Sequence, residues 1–125
     1  MSRATKAAIA VIDDDFHVLE SLDSLLVSAG YTVQAYQSAE SFLNADGDSN
    51  IDCVISDIGM PALGGLDLQG QLLAKRPNLP VILITGRYDV SAPGVSAPNN
   101  RGFFRKPVDA FELLQAVGAA LANRS

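Results

Sequence analysis

Ala7-Ala8-Ile9-Ala10-Val11-Ile12-Asp13-Asp14-Asp15 is the stretch that decides the fold. Its apolar run is too short for a helix and has no helical spacing, so it reads as a strand buried on both faces, as in a parallel sheet. Carboxylates take over where the run stops. The same design recurs at Ile51 to Ile55, followed by Ser56 and Asp57, and at Pro80 to Ile84, followed by Thr85. Tyr31 to Tyr36 alternates instead, with Tyr31, Val33 and Ala35 opposed to Thr32, Gln34 and Tyr36, which suits a strand nearer a sheet edge. A short fifth strand is expected around Gly102 to Arg105, just before Lys106.

Helical signals fill the intervals. Phe16 to Ala29 puts Leu19, Leu22 and Leu26 on one stripe, and Gly30 stands where a left-handed C-cap is wanted. Ser38 is placed to cap a short helix carrying Phe42 and Leu43, and Leu66 to Arg76 carries Leu72 and Leu73 and stops before Pro77. Gly70 weakens that third helix by roughly 1 kcal/mol relative to alanine. The last helix has Asp109 at its N-cap with Glu112 three residues on, then Leu114, Val117 and Leu121 at helical spacing. Strand and helix alternate, which predicts an α/β fold: a doubly wound, five-stranded parallel sheet with helices on both faces. At 125 residues and 48% hydrophobic content, one domain with a core of about residues 7–122 is expected.

In such a sheet, residues just past the carboxyl ends of several strands converge on one crevice. Asp13, Asp14, Asp57, Thr85 and Lys106 all hold that position. Acidic residues after strands also serve as helix caps, and Asp15 is read that way. Capping accounts for one aspartate at most, not for Asp13, Asp14 and Asp57 together. Three neighbouring carboxylates raise one another's pKa unless a divalent cation neutralises them. Mg2+ takes one or two carboxylates, waters and a phosphate oxygen, and is the cofactor expected. A carboxylate held there is able to attack a phosphoryl group, with an amine, Lys106, offsetting charge on the equatorial oxygens. The Thr85 hydroxyl is placed either to bond a phosphoryl oxygen or to bond its own backbone.

Other function classes are disfavoured. A net charge of -5 and a pI near 4.6 argue against nucleic acid or an anionic membrane surface as direct ligand. Cys53 is the only cysteine, so there is no disulfide framework and no cysteine-rich metal site; it reads as a core residue. The basic start at Arg3 and Lys6 precedes an apolar run too short for a signal peptide, and no run approaches a membrane span. A cytoplasmic location is the simplest expectation. His17, the only histidine, reads as a helix-surface residue.

Nearly the whole chain resembles the receiver domain of two-component response regulators, the CheY-like superfamily. The resemblance rests on Val11-Ile12-Asp13-Asp14, on Ser56-Asp57-Ile58-Gly59-Met60-Pro61 with Gly65, on Ile84-Thr85-Gly86 and on Arg105-Lys106-Pro107. It implies strand order 2-1-3-4-5 and a cis peptide bond between Lys106 and Pro107. It further implies that Asp57 accepts phosphate from a histidine kinase or phosphotransfer protein. Asp13, Asp14, Asp57 and the Gly59 carbonyl would be the Mg2+ ligands, and Thr85 and Phe103 the switch pair. Ordinary core packing beside Phe104 is the other reading of Phe103. Gly59 and Arg87 hold positions that tune the lifetime of the phosphoryl group, and a side-chain-free Gly59 predicts fast hydrolysis. An output domain, a downstream protein or a homodimer partner would read the signal.

One stretch departs from the family. Between Thr85 and Lys106 the expected fourth helix meets Pro93, Gly94 and Pro98, which oppose a helix and predict a short, shifted or irregular segment. That segment belongs to the face that usually dimerises or binds an output domain, so signalling through another surface is the corollary. Two rivals share some of the residues. A haloacid-dehalogenase-like phosphatase would use Asp13-x-Asp15 with Thr85 and Lys106, but leaves Asp57 and Pro61 unexplained. A pseudo-receiver would keep the fold without phosphate control, yet has no physical need for clustered carboxylates. A flavin-binding protein of similar topology would need a phosphate loop in place of Asp13 to Phe16.

Overall fold

Each buried strand of the chain ends on or just before a polar residue, and all of the strands run the same way. In the computed structural model, which describes residues 7–45, 50–60, 63–86 and 97–123, the elements run β1 (Ala8–Ile12), α1 (Phe16–Ser28), β2 (Thr32–Tyr36), α2 (Ala39–Asn44), β3 (Cys53–Asp57), α3 (Gly65–Lys75), β4 (Val81–Thr85), β5 (Asn100–Arg105) and α4 (Ala110–Asn123). The five strands form one parallel sheet in the order β2-β1-β3-β4-β5. The fourth helix expected between Thr85 and Lys106 falls on residues 87–96, outside the described residues; α4 is the last helix of the chain.

Strand alternation sorts the core into two layers. Ile9, Val11, Cys53, Ile55, Ile82 and Ile84 point toward Leu19, Leu22 and Leu26 of α1 and Leu113 and Val117 of α4. Ala10, Ile12, Val54, Val81 and Leu83 point toward Phe42 of α2 and Leu68 and Leu72 of α3. Because β1, β3 and β4 are covered on both sides, their sequences read as continuous apolar runs. β2 lies at the sheet edge, as its alternation predicts, and keeps Thr32, Gln34 and Ala35 exposed.

Local signals fix the element ends. The Asp15 carboxylate accepts the N–H of His17 and caps α1. Gly30, at φ +99°, supplies the left-handed residue that an L side chain rarely adopts. Ser38 accepts from Ser41 N at 3.0 Å, and Asp109 from Glu112 N at 2.9 Å, so α2 and α4 start at the caps read from sequence. β3 starts at Cys53, later than the run beginning at Ile51, and includes Asp57. Asp52 explains the shift: its carboxylate accepts the N–H of Ala8, ahead of the paired strand. Among the described residues no helix is long and apolar enough to cross a membrane.

Candidate functional site

Sheet register carries the site. Ile12 is paired with Ser56, Asp57 with Ile84, and Thr85 with Arg105, so Asp13, Asp57, Thr85 and Lys106 come out together at the carboxyl ends of the strands. Asp13 follows β1 directly; its N–H donates to Tyr36 O, and its Oδ1 accepts the N–H of Asp15 at 2.9 Å. Asp57 closes β3, and its Oδ1 accepts the N–H of Gly59 at 3.0 Å. Thr85 closes β4 and is fully buried, with its carbonyl accepting the Lys106 N–H at 2.7 Å. The Lys106–Pro107 peptide bond is cis.

Carboxylate oxygens of Asp13, Asp14 and Asp57 lie within 4.8 Å of one another. Asp13 is fully buried, Asp57 nearly so, and Asp14 exposed. The Lys106 ammonium stands between two of them, 2.8 Å from Asp13 Oδ2 and 3.4 Å from Asp57 Oδ2. Beyond that contact with Lys106, Asp13 Oδ2 has no hydrogen-bond partner among the described residues. Three hard oxygen donors within reach of one another, with the Lys106 ammonium beside two of them, fit a small divalent cation.

Burial pushes the Asp13 carboxyl above its ordinary value of 3.8, and the nearby Asp57 charge adds to that; the Lys106 ammonium and the Asp15 N–H oppose the rise without cancelling it. The repulsion between carboxylates expected from sequence contributes through Asp57, with burial the larger cause. For Lys106, burial favours the neutral amine, but the contacts with Asp13 and then Asp57 outweigh it, and the pKa stands above 10.5.

Gly64 and Gly65 lie against the backbone just after β3. A Cβ on Gly65 would stand 2.6 Å from the Asp57 carbonyl oxygen, and one on Gly64 2.8 Å from Ile58 O. Both obstacles are backbone, so neither position has room for a side chain. Gly65 belonged to the motif read from sequence; Gly64 did not, because only the fold reveals the close approach.

Of the residues singled out from sequence, Asp13, Asp14, Asp57 and Lys106 meet directly, and Gly59 joins them through its N–H. Thr85 ends the neighbouring strand. Phe103 does not join the cluster: it is partly buried in the layer of Leu83, with the Arg105 guanidinium 5.8 Å from its ring centre. Arg87 lies outside the described residues. The ion pair between Lys106 and Asp13 was missed from sequence, as was a groove of about 630 Å³ opening beside Lys106 and lined by Val18, Leu22, Leu25, Pro107 and Val108.

A sequence profile of the response regulator receiver domain matches residues 9–118. The response regulator protein TodT of Pseudomonas putida is 40% identical over 116 residues, covering 92% of this chain and 51% of TodT. The transcriptional regulatory protein FixJ of Bradyrhizobium diazoefficiens is 41% identical over 86 residues, covering 69% of this chain and 42% of FixJ. The chain thus spans about half the length of the curated relatives it matches. A solved response regulator receiver domain protein from Clostridium thermocellum superimposes with a TM-score of 0.85 at 32% identity, covering 93% of this chain and 94% of that one.

Proposed function

The chain belongs to the response regulator receiver domain family, and from that premise we propose that it is a phosphoacceptor that takes a phosphoryl group onto Asp57. The observation that carries this reading is the setting of the Asp57 carboxylate. Oδ1 is fixed by the Gly59 N–H, Oδ2 faces Lys106 at 3.4 Å, and the Asp13 and Asp14 carboxylates lie alongside. Asp13, Asp14, Asp57 and the Gly59 carbonyl are the proposed Mg2+ ligands. When bound, Mg2+ supplies charge neutralisation between these carboxylates and an incoming phosphoryl group.

An Asp57 oxygen attacks phosphorus, the P–N bond of the donor phosphohistidine breaks, and its electron pair leaves with the imidazole nitrogen. Lys106 meets charge developing on the equatorial oxygens, and the Thr85 hydroxyl donates to one of them. Burial of Thr85 and the tie between its carbonyl and the Lys106 N–H support this placement. Movement of Thr85 with Phe103 is the proposed switch. Gly59 and Arg87 set the lifetime, and water returns Asp57 to its free state.

The phosphatase rival fares poorly on geometry. Its nucleophile would be Asp13, which is fully buried with one oxygen on Asp15 N and the other on Lys106, while Asp15 is occupied as the α1 cap. Chemistry confined to self-phosphorylation and self-hydrolysis suits a signalling module rather than an enzyme acting on a diffusing metabolite. The proposed donor is a histidine kinase or phosphotransfer protein of the cytoplasm. An output domain, a downstream protein or a second copy of the chain is the proposed reader; the acidic surface speaks against direct contact with nucleic acid.

Beryllofluoride, which mimics a phosphoryl group on a carboxylate, tests the site. With Mg2+ it should perturb the backbone amides of Gly59 and Lys106, and the Asp57→Asn variant should show no such change. Unperturbed amides in the wild type would overturn the reading.

A further inference from the structure

α3 touches two places that the proposed chemistry does not otherwise connect. At its start Gly65 abuts the carbonyl of Asp57, with no space for even a methyl group between them. One turn further on stands Gln69, only 4% exposed in a layer otherwise built from Leu68, Leu72, Val81 and Leu83. Asn99 Nδ2 donates to the Gln69 carbonyl at 3.1 Å, and Asn100 Nδ2 donates to Gln69 Oε1 at 3.2 Å. These two asparagines lead into β5, the strand that carries Phe103 and delivers Lys106.

β5 is irregular at that point. Val81 is opposite Asn100 and Ile82 opposite Gly102, which leaves Arg101 as an extra residue. Side chains alternate along a strand, so residues three apart face opposite ways unless a bulge intervenes. Asn100 faces α3 through its bond to Gln69, and Phe103 packs in the same layer. The bulge makes that combination possible. Asn100 Oδ1 accepts the Gly102 N–H at 3.1 Å, supplying a partner for an amide next to the extra residue. Asn99 Oδ1 is buried without a hydrogen-bond partner among the described residues.

We propose that Gln69, Asn99 and Asn100 form a clasp through which α3 transmits the state of Asp57 to the start of β5 and so positions Phe103. The inference rests on Asp57 being the phosphoacceptor. The clasp residues are positioning residues: none reaches the carboxylate cluster. The bulge at Arg101 is what puts Asn100 and Phe103 on one face of β5, so a change at the Gln69–Asn100 bond is passed along the strand to Phe103. This route runs through α3 and enters β5 at its first residue.

The test follows the amides of Gly59, Gly102 and Phe103 and the side-chain amides of Asn99 and Asn100 by NMR, with and without Mg2+ and beryllofluoride. Gly59 reports binding; the others report the clasp. All should shift in the wild type. Gln69→Leu removes the bond to Asn100 while keeping a side chain of similar size, and should retain the Gly59 response but lose those of Gly102 and Phe103. Asn100→Asp keeps the acceptor for Gly102 N and is able to accept from a rotated Gln69 amide, so it should retain them. A wild type in which Gly59 shifts while Gly102 and both asparagine side chains stay put would overturn the inference and leave the phosphoacceptor reading intact. An unchanged Phe103 response in Gln69→Leu would do the same. No shift at Gly59 would defeat both.

Discussion

Lys106 Nζ lies closer to Asp13 than to Asp57, at 2.8 Å against 3.4 Å, so the lysine is shared between the proposed metal ligand and the proposed phosphoacceptor. Its charge is a local substitute for part of what a divalent cation supplies. Lys106→Met should therefore tighten Mg2+ binding, because a competing cation is gone, while slowing phosphorylation by about 100-fold through loss of charge stabilisation at the phosphoryl group. Titration calorimetry and rates of adduct formation measure the two effects. Weaker Mg2+ binding in the variant would contradict the account.

The raised pKa of Asp13 gives a pH dependence with a definite sign. Its ionised form is disfavoured in the folded state, so this group lowers stability as pH rises from 3.8 through the higher folded value. Lys106 acts oppositely: its stabilising contribution is fully present below 10.5 and is lost as pH rises through its own raised folded pKa. Mg2+ must displace the Asp13 proton, so stabilisation by Mg2+ should fade on acidification before an ordinary carboxylate would protonate. Thermal unfolding with and without Mg2+ across mildly acidic to neutral pH measures this. Asp13→Asn should unfold at higher temperature than wild type without Mg2+ at neutral pH, and should gain nothing from adding it.

Gly65 and Gly70 lie in one helix but should respond oppositely to alanine. At Gly65 the new Cβ meets backbone at 2.6 Å, and overpacking of this kind costs about 1–3 kcal/mol. Phosphorylation should suffer as well, since the atom struck is the Asp57 carbonyl. At Gly70 nothing lies within 4 Å, and the exposed helical position should gain roughly 0.4–1 kcal/mol. Urea midpoints of the two variants check both signs.

Gly59 is exposed beside Asp57 and offers no side chain to impede water. A bulky polar residue there, as in Gly59→Glu, should lengthen the lifetime of the phosphorylated state. Decay of the adduct after removal of the donor is the readout; an unchanged or shorter lifetime would contradict the steric argument.

The fold and the carboxylate cluster were legible because buried parallel strands write themselves as apolar runs and their ends bring distant residues together. Asp13 follows such a run, Asp57 and Thr85 close strands built on one, and Asp15, Ser38 and Asp109 each cap the helix they precede, whereas Lys106 follows the short, partly exposed β5. Less legible was the end of β3. A strand covered on both faces continues through Ser56 and Asp57, since backbone pairing and not side-chain polarity decides where it stops. Gln69, Asn99 and Asn100 left no periodic signal at all, because a single buried amide looks like any surface polar residue until its partner is known. The close approach of Gly64 to Ile58 and the Lys106–Asp13 pair likewise depend on chain crossings that sequence spacing does not encode.

Intact-mass spectrometry after incubation with acetyl phosphate, with and without Mg2+, on wild type and Asp57→Asn, tests the central claim most directly. The account predicts a Mg2+-dependent gain of one phosphoryl group in the wild type and none in the variant. A phosphoryl group on the Asp57→Asn protein, or a wild type that takes up neither a phosphoryl group nor beryllofluoride, would contradict it.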